Sequence, residues 1–136
     1  MVENIVPKRA WEEISGNARA QLVDVRTDAE WNFVGVPDLG GAGKQAVLIP
    51  WQVYPAMQVN ADFIGQLRGA GLTPEDHLYF ICRTGGRSMA AAQAAQAAGF
   101  PHAYNVADGF EGPPDAAGHR GTTAGWKADG LPWRQK

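Results

Sequence analysis

The sequence predicts an α/β domain with a central parallel sheet and helices on both faces, and two observations carry that prediction. Short apolar runs of strand length, at 21–25, 46–49, 77–81 and 103–106, alternate with stretches of helical signal. Parallel strands need long crossovers, which helices supply, so this alternation implies a sheet covered on both sides. The chain has 136 residues, 45% of them hydrophobic and 19% charged, which suits a single domain (1–136) rather than two domains or a disordered chain.

Each element has its own local reason. Pro7 suits a first helical turn, Trp11 and Ile14 share a face, and Gly16 can end a helix over 7–14. Gln21-Leu22-Val23-Asp24-Val25 reads as a strand. Thr27 and Glu30 then have the spacing of a capping box for one or two helical turns. Pro37, Gly40, Gly41 and Gly43 make 35–43 an exposed loop, and Ala46-Val47-Leu48-Ile49 is a third apolar run ended by Pro50. Asn60 can cap a helix over 61–70 that buries Phe63, Ile64 and Leu67 and stops at Gly71. His77-Leu78-Tyr79-Phe80-Ile81 is the next strand, and the alanine-rich segment 88–98 is a helix stopped by Gly99. Ala103-Tyr104-Asn105-Val106 is the last strand, and 125–133 folds back over the core.

Composition excludes several classes of function. The net charge is −2 and the basic residues form no run or stripe, so nucleic acid is not an expected partner. No apolar stretch approaches the roughly 20 residues that cross a bilayer, so no membrane partner is expected. Met1-Val2-Glu3-Asn4 lacks a signal-peptide pattern, so a cytoplasmic location is expected. A single cysteine forbids an internal disulfide and a cysteine-based metal site. It also leaves no resolving thiol in the chain, and neither metal nor cofactor is expected.

That cysteine occupies the most informative stretch, Cys82-Arg83-Thr84-Gly85-Gly86-Arg87-Ser88, between the 77–81 strand and the alanine-rich helix. At a strand-to-helix junction the first helical N–H groups lack intrahelical partners and, with the helix dipole, favour an anion. Gly85 and Gly86 let the backbone curl its N–H groups inward, while Arg83 and Arg87 add positive charge. Such surroundings favour a thiolate, the nucleophilic form of cysteine. A core cysteine is the blander reading, but cations beside a buried thiol would be unpaired and costly. Thr84 and Ser88 are candidate hydrogen-bond donors to the sulfur, with helix capping as the plainer role for Ser88.

Ligands of open α/β sheets bind beyond the carboxyl ends of the strands, where Cys82 falls and where Asp24 and Arg26 end another strand. Asp24 and Arg26 are read as an ion pair anchoring the loop, with tuning of the site as the alternative. Trp51 and Phe110 are candidate pocket-rim residues, alongside Trp31 and Tyr54, although aromatic residues in a small domain belong first to the core. His77, His102 and His119 are scattered and are expected at the surface or at strand ends.

The loop CRTGGRS, the segment LVDVRTDAEW and the closing segment GWKADGLPW together resemble the rhodanese family of sulfurtransferases. The matches run in the family's order over a core of about 5–133. The resemblance implies a three-layer rhodanese-like sandwich and transfer of a sulfane sulfur through a persulfide on Cys82. Residues 83–87 would cradle it, with Asp24 and Arg26 in support. It further implies a small sulfur-containing anion such as thiosulfate as donor, and cyanide or a small or protein thiol as acceptor. Two segments depart from the pattern. The 37–44 stretch is long and lacks the family's histidine, and 112–121 is also long; both departures are expected to bear on the choice of partner.

Two rivals remain at this level. Cysteine-dependent phosphatases and arsenate reductases use a similar cradle, but commonly with five residues between cysteine and arginine, whereas Cys82 and Arg87 are separated by four, 83–86. A persulfide carrier or sensing module that turns over poorly alone is the non-enzymatic alternative.

Overall fold

A computed structural model describes residues 2–53 and 55–136. In chain order its elements are β1 (Glu3–Ile5), α1 (Pro7–Gly16), β2 (Ala20–Asp24), α2 (Asp28–Val34), β3 (Val36–Pro37), a 3₁₀ turn (Gly40–Ala42) and β4 (Val47–Leu48). There follow β5 (Gln52–Val53), β6 (Gln58–Val59), α3 (Phe63–Gly69), β7 (His77–Ile81), α4 (Gly86–Ala97), β8 (Ala103–Val106) and β9 (Trp133–Arg134).

Five strands form one parallel sheet in the order β1-β8-β7-β2-β4. Strand β7 lies at its centre, in register with β2 from Ala20↔His77 to Asp24↔Ile81 and with β8 from Leu78↔Ala103 to Phe80↔Asn105. Covered on both faces, it is apolar almost throughout, as buried parallel strands are. Side-chain alternation divides the interior in two. Leu78, Phe80 and Cys82 pack with Phe63 and Leu67 of α3 and Ala91, Ala92 and Ala95 of α4. Leu22, Tyr79 and Ile81 pack with Ala10 and Ile14 of α1 and with Phe110 and Trp126. The expected α/β architecture with helices on both faces is therefore present.

Local signals place most boundaries within a residue or two. The capping box of α2 is formed in both directions: Thr27 Oγ1 accepts from the Glu30 N–H, and Glu30 Oε1 accepts from the Thr27 N–H. Helix α4 lies close to the sheet because its inward residues are alanine and Ser88, all fully buried. Trp126 is fully buried, its indole N–H donating to the Pro132 carbonyl at 2.7 Å, and β9 pairs with β3, so the closing segment folds back as expected.

Four features differ from the sequence-based expectations. Strand β1 was not expected: Glu3-Asn4-Ile5 is too short for alternation to register, and only its pairing with β8 makes it a strand. The hairpin β5–β6 was equally silent. Asn60 does not cap α3, which begins two residues later than expected, after Asp62; the Asn60 side chain accepts from the Asp62 N–H and donates to Pro50 O and Gln66 Oε1.

The 35–43 stretch is not simply an exposed loop, since Val36, Pro37 and Leu39 are buried. It descends along the sheet until the Lys44 ammonium meets the carbonyls of Ile14, Asn17 and Ala20 at 2.6–2.7 Å. Ala20 opens β2, so Lys44 is bound at the end of the sheet opposite Cys82. Among the described residues no helix is long and apolar enough to cross a membrane.

Candidate active site

Cys82 directly follows β7 and is 1% exposed. The chain then turns through 83–85, with Gly85 at φ 113° serving as N-cap of α4. A left-handed φ of this kind suits glycine, which explains why this turn carries one. The turn aims two donors at the sulfur, the Gly85 N–H at 3.1 Å and the Ser88 hydroxyl at 3.2 Å from Cys82 Sγ. Ser88 is thus not a helix cap; it sits inside the first turn and faces the cysteine. Gly86 opens the helix, and Thr84 stands exposed at the tip of the loop.

The turn after β8 supports this loop from behind. The N–H of Phe110 donates to Cys82 O at 2.8 Å, and those of Glu111 and Gly112 donate to Arg83 O at 3.1 and 3.2 Å. Such close apposition requires Gly109, at φ 63°: a Cβ there would stand 2.5 Å from Cys82 O and 2.6 Å from Arg83 O. The Asp108-Gly109 pair lies in a glycine- and proline-rich region of the sequence, but nothing local reveals which loop it abuts.

The two arginines are placed differently. Arg87 forms a two-pronged pair with Glu30, Nη1 to Oε1 at 2.7 Å and Nη2 to Oε2 at 2.9 Å. The α2 capping box is thereby tied to the first turn of α4. Arg83 is looser, its side chain 47% exposed and 3.7 Å from Glu111. Both line a cavity of about 420 Å³ whose other walls come from Thr27, Ala29, Glu30 and Val34, from Pro55 and Met57 of the β5–β6 hairpin, and from Glu111.

Glu30 is a site residue that sequence reasoning recognised only as a helix cap. Burial alone would raise its carboxyl, but hydrogen bonds from Arg87 and Thr27 outweigh that and hold it below the ordinary glutamate range. A carboxyl depressed in the folded state contributes stability that is full above its unfolded pKa and is lost as pH falls through the folded one. Glu30→Gln is therefore expected to cost about 1 kcal/mol at neutral pH, a magnitude typical of a partly solvated pair. The gap should close as pH falls from neutral through and below the ordinary glutamate range, about 4.3. Urea unfolding of both proteins across that range checks the sign; a gap that widens in acid contradicts it.

Asp24 and Arg26 are both fully buried at the end of β2. Arg26 Nε lies 3.0 Å from Asp24 Oδ1, and Nη2 lies 2.7 Å from Asp24 Oδ2 and 2.8 Å from Gly35 O. The guanidinium also rests over the Phe110 ring, 4.2 Å from its centroid. The pair holds β2, the end of α2 and the turn after β8 together; among the described residues neither side chain hydrogen-bonds to the 83–87 loop that it was expected to anchor.

Phe110 is fully buried and belongs to the interior beneath that pair, not to a pocket rim. Trp51 is half-buried, edge-on to Phe63 at 5.1 Å, and Trp31 is buried. Tyr54 lies outside the described residues. His77 and His102 stack on each other at 4.4 Å at the far end of β7, and His119 is exposed.

Neither departing segment lines the cavity. Residues 37–44 lead to the opposite end of the sheet. Residues 112–121 close on themselves, Asp115 accepting from the Ala117 and His119 N–H groups and from the Thr122 hydroxyl. The cavity is bordered instead by the hairpin tip, α2 and Glu111.

Comparison with known proteins agrees with this geometry. Residues 3–136 match the family described as STR4 middle domain. The crystal structure of Rv0390 from M. tuberculosis is similar at a TM-score of 0.89 and 48% identity, over 99% of this chain and 98% of that one. Uncharacterized protein RC0915 of Rickettsia conorii is 35% identical over 98% of both chains. Rhodanese-like domain-containing protein 4, chloroplastic, of Arabidopsis thaliana is 32% identical over 93% of this chain, which corresponds to 24% of that longer protein. With the central cysteine loop and the parallel sheet in place, these matches make the chain a member of the STR4 middle-domain family, a rhodanese-like family.

Proposed function

We propose that this protein is a sulfurtransferase that carries a sulfane sulfur as a persulfide on Cys82. One observation supports this above all: Cys82 Sγ sits at the carboxyl end of the central strand with the Gly85 N–H and the Ser88 hydroxyl directed at it. Both donors suit a sulfur that bears negative charge.

In the first half-reaction the Cys82 thiolate attacks the outer sulfur of thiosulfate. A Cys82 S–S bond forms, the donor's S–S bond breaks, and sulfite leaves with its electron pair. In the second, an acceptor such as cyanide or a thiolate takes the outer sulfur and the Cys82 thiolate returns. No metal or organic cofactor enters these steps. Because Cys82 is only 1% exposed, donor entry needs side chains between the sulfur and the cavity to yield. Arg83, 47% exposed and held by a single 3.7 Å contact, is the less restrained of the two arginines there. Its guanidinium is the natural first contact for an incoming anion, while Arg87, committed to Glu30, holds the loop.

Phosphoryl transfer is the rival, and the same pair weighs against it. A phosphatase arginine must turn toward the transferred group, yet Arg87 spends both terminal nitrogens on Glu30.

Intact-mass measurement after exposure to thiosulfate tests the proposal. One added sulfur atom per chain, removed by cyanide or by reductant, is expected. A protein that stays unloaded with thiosulfate and polysulfide, or hydrolyses aryl phosphates faster than it passes sulfur to cyanide, would overturn it.

A further inference from the structure

Four side chains lead from the buried end of β7 to the edge of the sheet. Ser88 Oγ lies 3.2 Å from Cys82 Sγ and 2.5 Å from Asn105 Oδ1, and Asn105 Nδ2 lies 2.8 Å from Asn4 Oδ1. Strand register produces the last link, since Asn4 and Asn105 are paired neighbours on β1 and β8. Cys82, Ser88 and Asn105 are at most 4% exposed, whereas Asn4 is exposed.

The Ser88 hydroxyl has one proton and two acceptors within reach, so it serves one at a time. We propose that Asn105 and Asn4 are positioning residues for Cys82, forming with Ser88 a hydrogen-bond chain whose direction reverses when the cysteine loses its proton. This rests on Cys82 working as a thiolate, as the sulfurtransferase reading requires.

With the thiol present, S–H donates to Ser88 Oγ, the hydroxyl donates to Asn105 Oδ1, and Asn105 Nδ2 donates to Asn4 Oδ1. When the proton leaves for solvent, the sulfur can only accept and draws the Ser88 hydroxyl to itself. Asn105 must then turn its amide, so that Nδ2 donates to Ser88 Oγ and Oδ1 accepts from Asn4 Nδ2. Amide oxygen and nitrogen are nearly equal in size, so the same heavy-atom positions serve both directions. Burial makes the reversal necessary, since an unpaired donor or acceptor at Ser88 or Asn105 has no water to turn to. Exposed Asn4 can turn in solvent, which makes it the free end of the chain.

Other groups set the charge around the sulfur without belonging to the chain. Arg83 and Arg87 lie on its own loop and first helical turn, Glu30 of α2 pairs with Arg87, Glu111 of the turn after β8 approaches Arg83, and Asp24 and Arg26 pair with each other at the end of β2. Among the described residues, the side chains of Ser88 and Asn105 hydrogen-bond to none of these.

The test reads the pH midpoint of Cys82 alkylation by iodoacetamide, which needs no sulfur donor. Failure of the chain is thereby distinguishable from failure of the sulfurtransferase reading. In Asn105→Asp the ionised carboxylate can only accept, so it keeps the Ser88 hydroxyl from the thiolate. The midpoint is expected to rise by about one pH unit, a tenfold loss of thiolate at a given pH. Exposed Asn4→Asp, which disturbs no packing, should shift it the same way by less, and Asn4→Ala, where water can serve either direction, should not shift it. In a Ser88→Ala background both aspartate shifts should largely vanish, because the link to the sulfur is gone. Equal shifts with and without Ser88 would mean charge alone acts, and no shift in folded Asn4→Asp and Asn105→Asp proteins would mean no chain acts; either result overturns the inference.

Discussion

Cys82→Ser is expected to abolish sulfur loading while leaving the fold in place. A serine hydroxyl at this position can still accept from the Gly85 N–H and pair with Ser88, the two contacts that Cys82 Sγ makes. The loop should therefore keep its shape, and the oxygen atom adds little strain to a site already lined with donors. What it loses is the nucleophile: a serine with no adjacent base stays protonated and cannot attack a sulfane sulfur. Because this is the only cysteine in the chain, no second thiol can take over. Intact mass after thiosulfate should show no added sulfur, and single-turnover transfer to cyanide should fall to the uncatalysed rate. Urea midpoints of the two proteins should stay close. Serine protein that loads sulfur as the parent does would place the chemistry at another residue.

The largest loss of stability is expected from Arg26→Met. Asp24 and Arg26 are each 0% exposed, and the guanidinium satisfies the carboxylate on both oxygens while donating to Gly35 O. Methionine replaces much of the volume over the Phe110 ring but none of the charge, leaving a carboxylate buried without compensation. Breaking a buried pair from one side costs about 3–5 kcal/mol, far more than loss of the solvated Glu30–Arg87 pair. Adding Asp24→Leu should recover a large part of that loss, since removing both charges also removes their desolvation cost. Urea unfolding of the two single variants and the double variant measures the coupling. A double variant less stable than the sum of the single losses would show that the pair's shape, rather than its charge balance, holds this corner.

The features legible in the sequence are those whose causes lie within a few residues of one another. The strand before Cys82, the glycine turn and the alanine helix after it are contiguous, so periodicity and turn chemistry reveal the loop. The α2 capping box needs only Thr27 and Glu30, three residues apart, and it forms as its spacing predicts. The buried ion pair is equally local, with Asp24 and Arg26 two residues apart at a strand end.

Tertiary structure decided what joins distant parts of the chain. Glu30 meets Arg87 across 57 residues, turning an arginine expected at an anion into a brace for the loop. Asn4 meets Asn105 across 101 residues, through a strand too short to show a pattern of its own. Residues 37–44 carry the turn signals of a surface loop, yet Lys44 finds three carbonyls at the end of the sheet away from the cysteine. In a parallel sheet, neighbours come from separate crossover units, so spatial partners carry no fixed sequence spacing. Local propensity can announce a strand or a turn, but only the order β1-β8-β7-β2-β4 determines which side chains share a face and an end with Cys82.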